Sequence, residues 1–191
     1  MYINGARLLK DIDILQIQKA YSRFINPFID HKHKEGVLSY GLEPFGYTIR
    51  LGDMFWIPPV SGVLDPKNHP KGSDVILTDP FQLKPHELII GQSLEYIRIP
   101  PNIVAIGFGK STYARMGVHV NITPLDAGWE GHLSISITNN GSNPIVLYPH
   151  EGIAQLLFFW SDELPVSGYD GNYQMILNPE PARVRKKDVE D

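Results

Sequence analysis

The sequence has no cysteine among its 191 residues. That absence removes disulfide frameworks, thiolate zinc sites and cysteine nucleophiles together, and it suits a reducing compartment. Long hydrophobic runs are also missing: no stretch approaches the roughly 20 apolar residues of a membrane helix. The opening MYINGARLLKDIDILQ carries acidic residues and no unbroken apolar run, so it does not read as a signal peptide. Nor is there an excess of one charge. Seventeen Lys and Arg stand against 21 Asp and Glu, for a formal −4, which leaves no broad basic footprint for nucleic acid. Repeats and low-complexity tracts are absent too. These gaps point to a soluble, cytoplasmic protein with neither nucleic acid nor membrane as partner.

A real core is possible, since 42% of residues are hydrophobic. The length suits one domain with an added tail, here a body over 1–165 and a tail over 166–191. Residues 7–24 place Leu8, Ile12, Leu15, Tyr21 and Phe24 at mostly helical spacing, predicting one amphipathic helix ended by Asn26-Pro27. Beyond it, 16 Pro and 17 Gly punctuate short apolar runs. Strands are expected at 47–51, 87–91, 94–99, 103–108, 117–122, 132–138, 145–148 and 153–160. Many short strands between turn signals predict a sandwich or barrel. Residues 61–80 read as a long surface loop. From about Pro165 periodicity is lost. The end, ARVRKKDVED, reads as a mobile tail, although the aromatic GYDGNYQ before it could dock.

The stretch IGFGKSTYAR ends like a phosphate-binding P-loop. The spacing fails the test: the first glycine of G-x-x-x-x-G-K-[ST] should fall at position 104, which is Val104. The residues after it read as loop then strand, not as a long helix. A glycine, a lysine and two hydroxyls can still hold phosphate in another fold, because turn amides and a cation suffice. Further on, Leu133, Ile135 and Ile137 alternate with His132, Ser134, Ser136 and Thr138. This period of two gives a strand with one apolar and one polar face, the latter either solvated or lining a site. Asp126 lies in the turn before it and reads first as a turn former.

In combination, SYGLEPFGYTIRLGDMF, LDPKN, EYIRIPPNI, GKSTYAR, VNITPLDAGWEG and EGIAQLLFF resemble the dCTP deaminase family, of the dUTPase-like superfamily, over about residues 25–174. The resemblance implies a mainly β subunit, a distorted β-barrel or jelly-roll with an N-terminal helix. It implies a homotrimer with active sites between subunits, a tail that closes over a pyrimidine deoxynucleoside triphosphate, and Mg2+ carried by the triphosphate, with no metal bound by the protein alone. By position, Gly109, Lys110, Ser111, Thr112, Tyr113, Ala114 and Arg115 match the triphosphate loop, with Ser111 and Arg115 orienting the attacking water. Asp126 matches the acid that meets the deoxyribose 3′-hydroxyl. Leu133, Ser134, Ile135 and Ser136 match the strand along the base, and Gln155, Tyr169 and Gln174 match nucleotide contacts near and in the tail.

Two positions depart from the family pattern. The strand after GW-x-G carries a glutamate in such enzymes, the proton shuttle of deamination, and Ser136 stands there instead. A hydroxyl without a base beside it does not shuttle protons near neutral pH. His132 lies about 13 Å back along the strand, and Glu130 sits in the turn. In the tail, Asn172 stands where the family has lysine. The expectation is therefore hydrolysis of dUTP or dCTP to the monophosphate and pyrophosphate, with Ser111, Arg115, Asp126 and Ser136 at the reaction centre. The alternatives are deamination of dCTP to dUTP and ammonia, or a non-catalytic nucleotide-binding regulatory trimer.

Overall fold

The computed structural model describes residues 5, 7–21, 23–59, 61–68, 71–180 and 182. Most of the ARVRKKDVED segment, from Arg183 on, lies outside the described residues, as do residues 1–4. The elements in chain order are β1 (Arg7–Leu8), α1 (Asp11–Ala20), β2 (Ile25–Asn26), β3 (Lys32–His33), β4 (Tyr40–Leu42), β5 (Tyr47–Ile57) and β6 (Ser73–Ile76). They continue with β7 (Phe81–Leu83), β8 (Leu88–Arg98), β9 (Ile103–Gly109), α2 (Ser111–Ala114), β10 (Val118–Asn121), β11 (Glu130–Asn139), β12 (Ile145–Leu147) and β13 (Gly152–Trp160).

The helix is shorter than its sequence pattern. Asp13 reaches back to the Lys10 N–H at 3.0 Å and so starts it. It stops at Ala20 because Gln18 binds both the N–H and the C=O of Ile25, at 3.0 Å each, and folds the chain back. Phe24, expected in the helix, lies beyond it and packs on Phe158 with ring centroids 5.0 Å apart. The buried face is Ile14 and Ile17, while Ile12 and Tyr21 are exposed.

One large antiparallel sheet runs β1-β13-β5-β8-β11-β10 among the described residues, with β9 on β13, β4 and β6 on β5, and β2 on β8. β5 makes it curl. Tyr47 to Arg50 ladder with β13, whereas Phe55 and Trp56 pair with β8, and the register breaks between Leu51 and Phe55. An irregularity of this kind bends a strand and raises local twist, and the sheet closes into a half-barrel around Tyr47, Ile49, Leu51, Ile97, Leu156 and Phe158. This is the mainly β architecture with an N-terminal helix that the sequence implied. The expected strands at 87–91 and 94–99 are one, β8; that at 47–51 continues to Ile57; and the expected loop over 61–80 contains β6. α2 is a single turn, followed by β10.

β11 keeps its period of two. Leu133, Ile135 and Ile137 are buried, while His132, Ser134, Ser136 and Thr138 alternate with them on the half-buried face. This strand and its hairpin partner β10 frame a cavity at the turn end of the hairpin, where their pairing stops.

Candidate nucleotide site

β10 and β11 pair from Val118–Asn139 to Asn121–Ser136, and then the two legs part. One leg, residues 122–125, swings onto β9, where Leu125 and Ala105 exchange both backbone hydrogen bonds at 2.8 and 3.0 Å. The chain turns at 126–129, with the Trp129 N–H donating to the Asp126 carbonyl at 3.1 Å. It returns as β11. Between the legs lies a cavity of about 510 Å³, lined by Leu125, Asp126, Trp129, Leu133 and Ser134 and closed by Tyr169 and Tyr173. That volume is typical of small-molecule sites. The His132 N–H points to this edge, where it donates to Ile176. Strand residues turn their backbone groups to alternate sides, so Ser134 presents its N–H and C=O to the same edge.

The tail docks on this hairpin. The Tyr169 N–H donates to Ala127 at 2.8 Å, and Trp129 Nε1 donates to the Tyr173 carbonyl at 2.7 Å. Gln174 accepts from the Glu130 N–H at 3.0 Å and donates to Gly128 at 2.9 Å. Met175 and Ile176 then bind Glu130 and His132 as a short parallel strand. Gly131 makes this possible: at φ 152°, a Cβ there would lie 3.0 Å from the Ile176 nitrogen. The GYDGNYQ segment is thus an ordered cover.

A second recess, of about 480 Å³, lies elsewhere in the chain and shares none of its described lining residues with the first. Lys32, Ser39, Glu43, Lys110, Ser111 and Thr112 line it, with Gly109 and Gln155. Lys110 Nζ donates to the Ser39 carbonyl at 2.7 Å and to its Oγ at 2.9 Å. Burial lowers the Lys110 pKa, and the nearby Glu43 carboxylate works in the opposite direction. Glu43 accepts from Lys32 Nζ at 2.9 Å and from Thr48 Oγ1 at 3.0 Å. Two ammonium groups over one carboxylate, rimmed by hydroxyls, leave the recess cationic and suited to phosphate. The Lys110 amide is already bound to Ile153, at 3.0 Å. The two glycines of GFGK serve packing: a Cβ at Gly107 or Gly109 would come within 2.9 Å of Ile122 or 2.8 Å of Val120.

The residues singled out in the sequence therefore fall into three groups. Gly109, Lys110, Ser111, Thr112 and Gln155 line the recess, and Gln155 Nε2 also donates to Phe45 at 2.7 Å. Asp126, Leu133, Ser134 and Tyr169 line the cavity. The rest line neither. Ala114 and Arg115 are exposed at the end of α2, and Gln174 pins the tail. Ile135 is core, as is Tyr113, whose hydroxyl accepts the Tyr148 N–H and whose pKa is pushed up to about 12 by burial. Ser136 lies opposite Ile90 and Asn121, which carry no ionisable group. Sequence reasoning did not single out Trp129 and Tyr173 in the cavity or Lys32 and Glu43 in the recess. Trp129, Tyr173 and Glu43 stood inside the GW-x-G, GYDGNYQ and SYGLEPFG stretches, whereas nothing local marked Lys32. Among the described residues, no group of three or more His, Asp or Glu is placed to hold a metal ion, and no helix is long and apolar enough to cross a membrane.

A family model described as dCTP deaminase-like matches residues 9–161. A curated dCTP deaminase of Herpetosiphon aurantiacus is 44% identical over 156 residues, covering 78% of this chain and 85% of that protein. A dCTP deaminase of Anaplasma marginale is 40% identical over 149 residues, covering 76% and 80%. Among solved structures, the 2′-deoxycytidine 5′-triphosphate deaminase of Agrobacterium tumefaciens superposes with a TM-score of 0.62 at 17% identity; the match covers 82% of this chain and 48% of that one, a likeness of fold. The relatives overturn the expected hydrolysis to monophosphate and pyrophosphate, since proteins this similar over most of their length are named deaminases. That expectation rested on one side chain, Ser136, whereas a proton carrier can be supplied from any segment that reaches the cavity.

Proposed function

We infer the function from a family membership: this chain belongs to the dCTP deaminase-like family, and we propose that it deaminates dCTP to dUTP and ammonia. The observation that carries this is identity of 40% and more to dCTP deaminases across the β domain, joined to a nucleoside-sized cavity in the hairpin. The pyrimidine lies between the hairpin legs against the backbone of Ser134, and the deoxyribose 3′-hydroxyl meets Asp126. The triphosphate, entering with magnesium as part of the substrate, is held by Lys110, Ser111 and Thr112. Water adds to C4 of the cytosine, oriented by Ser111 and Arg115, and the amine leaves once protonated.

Among the described residues, cavity and recess share none within one chain. We therefore place the complete site between protomers of a homotrimer, the hairpin of one facing the recess of the next. The tail over 166–191 acts as its lid, excluding water from the base. A cytoplasmic location goes with this substrate. Incubation with magnesium and dCTP, followed by separation of nucleotides, tests the reading. dUTP and ammonia are expected. Release of dCMP and pyrophosphate, or binding without turnover, would overturn it.

A further inference from the structure

The proposed deamination needs a group that takes a proton from water and returns one to the leaving amine. In the cavity that receives the base, Ser136 is not among the described lining residues, and the carboxylate of the facing recess, Glu43, is already held by Lys32 and Thr48. Hydroxyls and phenols hold their protons too tightly near neutral pH for this work. That sets aside Thr123, Ser134, Tyr169 and Tyr173 and leaves two carboxylates among the described lining residues, Asp126 and Glu180.

The two reach the space from different segments. Asp126 is on the turn, where the legs are joined. Glu180 arrives with the tail on the strand side, its N–H donating to Ser134 Oγ at 3.3 Å. Ser134 is the residue whose backbone edge faces the gap, one strand period from Ser136 and on the same face. The segment carrying Glu180 is held on both flanks. Gln92 Nε2 donates to the Leu177 carbonyl at 2.9 Å, Ile176 and Pro179 are buried, and Ile176 pairs with His132. A carboxylate carried on so many anchors is positioned, which acid–base catalysis requires.

We propose that Glu180 is the proton-transferring carboxylate of this protein, delivered to the base by the docked tail. The assignment rests on the deaminase reading above. As the water oxygen bonds to C4, the Glu180 carboxylate takes one of its protons and passes it to ring N3. It then takes the proton of the new C4 hydroxyl and gives it to the amine. The C–N bond breaks, ammonia leaves, the carbonyl of uracil forms, and Glu180 is again a carboxylate. One water is consumed and no other reagent is needed.

The test is Glu180→Gln in the full-length protein, with dCTP and magnesium, reading dUTP formation, dCTP binding and the pH profile of kcat. The variant is expected to lose about 10²–10⁴-fold in kcat, with dCTP affinity within a few-fold of wild type. The acid limb of the wild-type profile is expected to vanish from the residual rate, and Glu180→Asp to recover part of kcat. Emission of Trp129, whose indole N–H is bound to the tail, separates loss of chemistry from loss of docking. Equal dUTP formation by wild type and Glu180→Gln, or an acid limb that persists in the variant, overturns this assignment alone. A wild-type protein that makes no dUTP overturns the deaminase reading and the assignment with it.

Discussion

At the scale of single residues, the most heavily constrained group is Glu95. Its carboxylate is fully buried and accepts the Arg50 Nε–H at 2.7 Å and the Arg50 backbone N–H at 2.8 Å. Desolvation raises its pKa, and the Arg50 charge and hydrogen bonds hold it down in part. The net direction is upward, so ionising Glu95 opposes folding. That cost is absent below the unfolded pKa of about 4.3 and grows as pH rises toward the folded value. Removing Arg50 takes away the offset. Arg50→Met is therefore expected to lose about 3–5 kcal/mol at pH 8, as for a buried ion left unpaired, and less at pH 5, closer to the unfolded pKa of about 4.3. Urea unfolding at the two pH values checks this, and an equal loss at both would refute it.

At the scale of elements, the tail and hairpin form one unit, held by backbone hydrogen bonds and by the side chains of Trp129, Gln174 and Ser134. Trp129→Phe keeps an aromatic ring and deletes the N–H bond to Tyr173. It is expected to weaken docking by about 0.5–1.5 kcal/mol, seen as faster amide exchange at Tyr169, Met175 and His132 with exchange in β13 unchanged. Such contacts explain what the sequence could and could not show. β11 was legible because one face meets the core and the other does not. β5 and β8 were read too short because β5 changes partners midway, so its burial does not alternate. The helix face was misread because Leu8 and Phe24, which set its phase, lie outside the helix. The places of Lys110 and Asp126 beside the two spaces were legible through their motifs. Glu180 was not, because a residue placed by tail anchors to Gln92, His132 and Ser134 carries no local pattern.

At the scale of the whole molecule, one chain carries two separate spaces, which the proposed function joins across a subunit boundary. Lys110 and Ser111 sit in the recess at the end of β9, whereas Asp126 and Glu180 sit in the hairpin cavity. Symmetric oligomers can join unlike surfaces of neighbouring copies in a closed ring, and a homotrimer of that kind would bring a recess to each cavity. Subunit mixing tests this arrangement. Lys110→Met damages only the recess, and Asp126→Asn only the cavity, so each homo-oligomer should deaminate dCTP poorly. After dissociation and random reassembly of equal amounts, each shared site pairs an intact recess with an intact cavity about one time in four in a closed ring. Roughly a quarter of wild-type activity is then expected to return. If each chain held a complete site, mixing would give only the mean of the two impaired rates. Mass measurement by light scattering on the same samples should report three chains per particle, and a monomer that turns over dCTP would exclude the shared site.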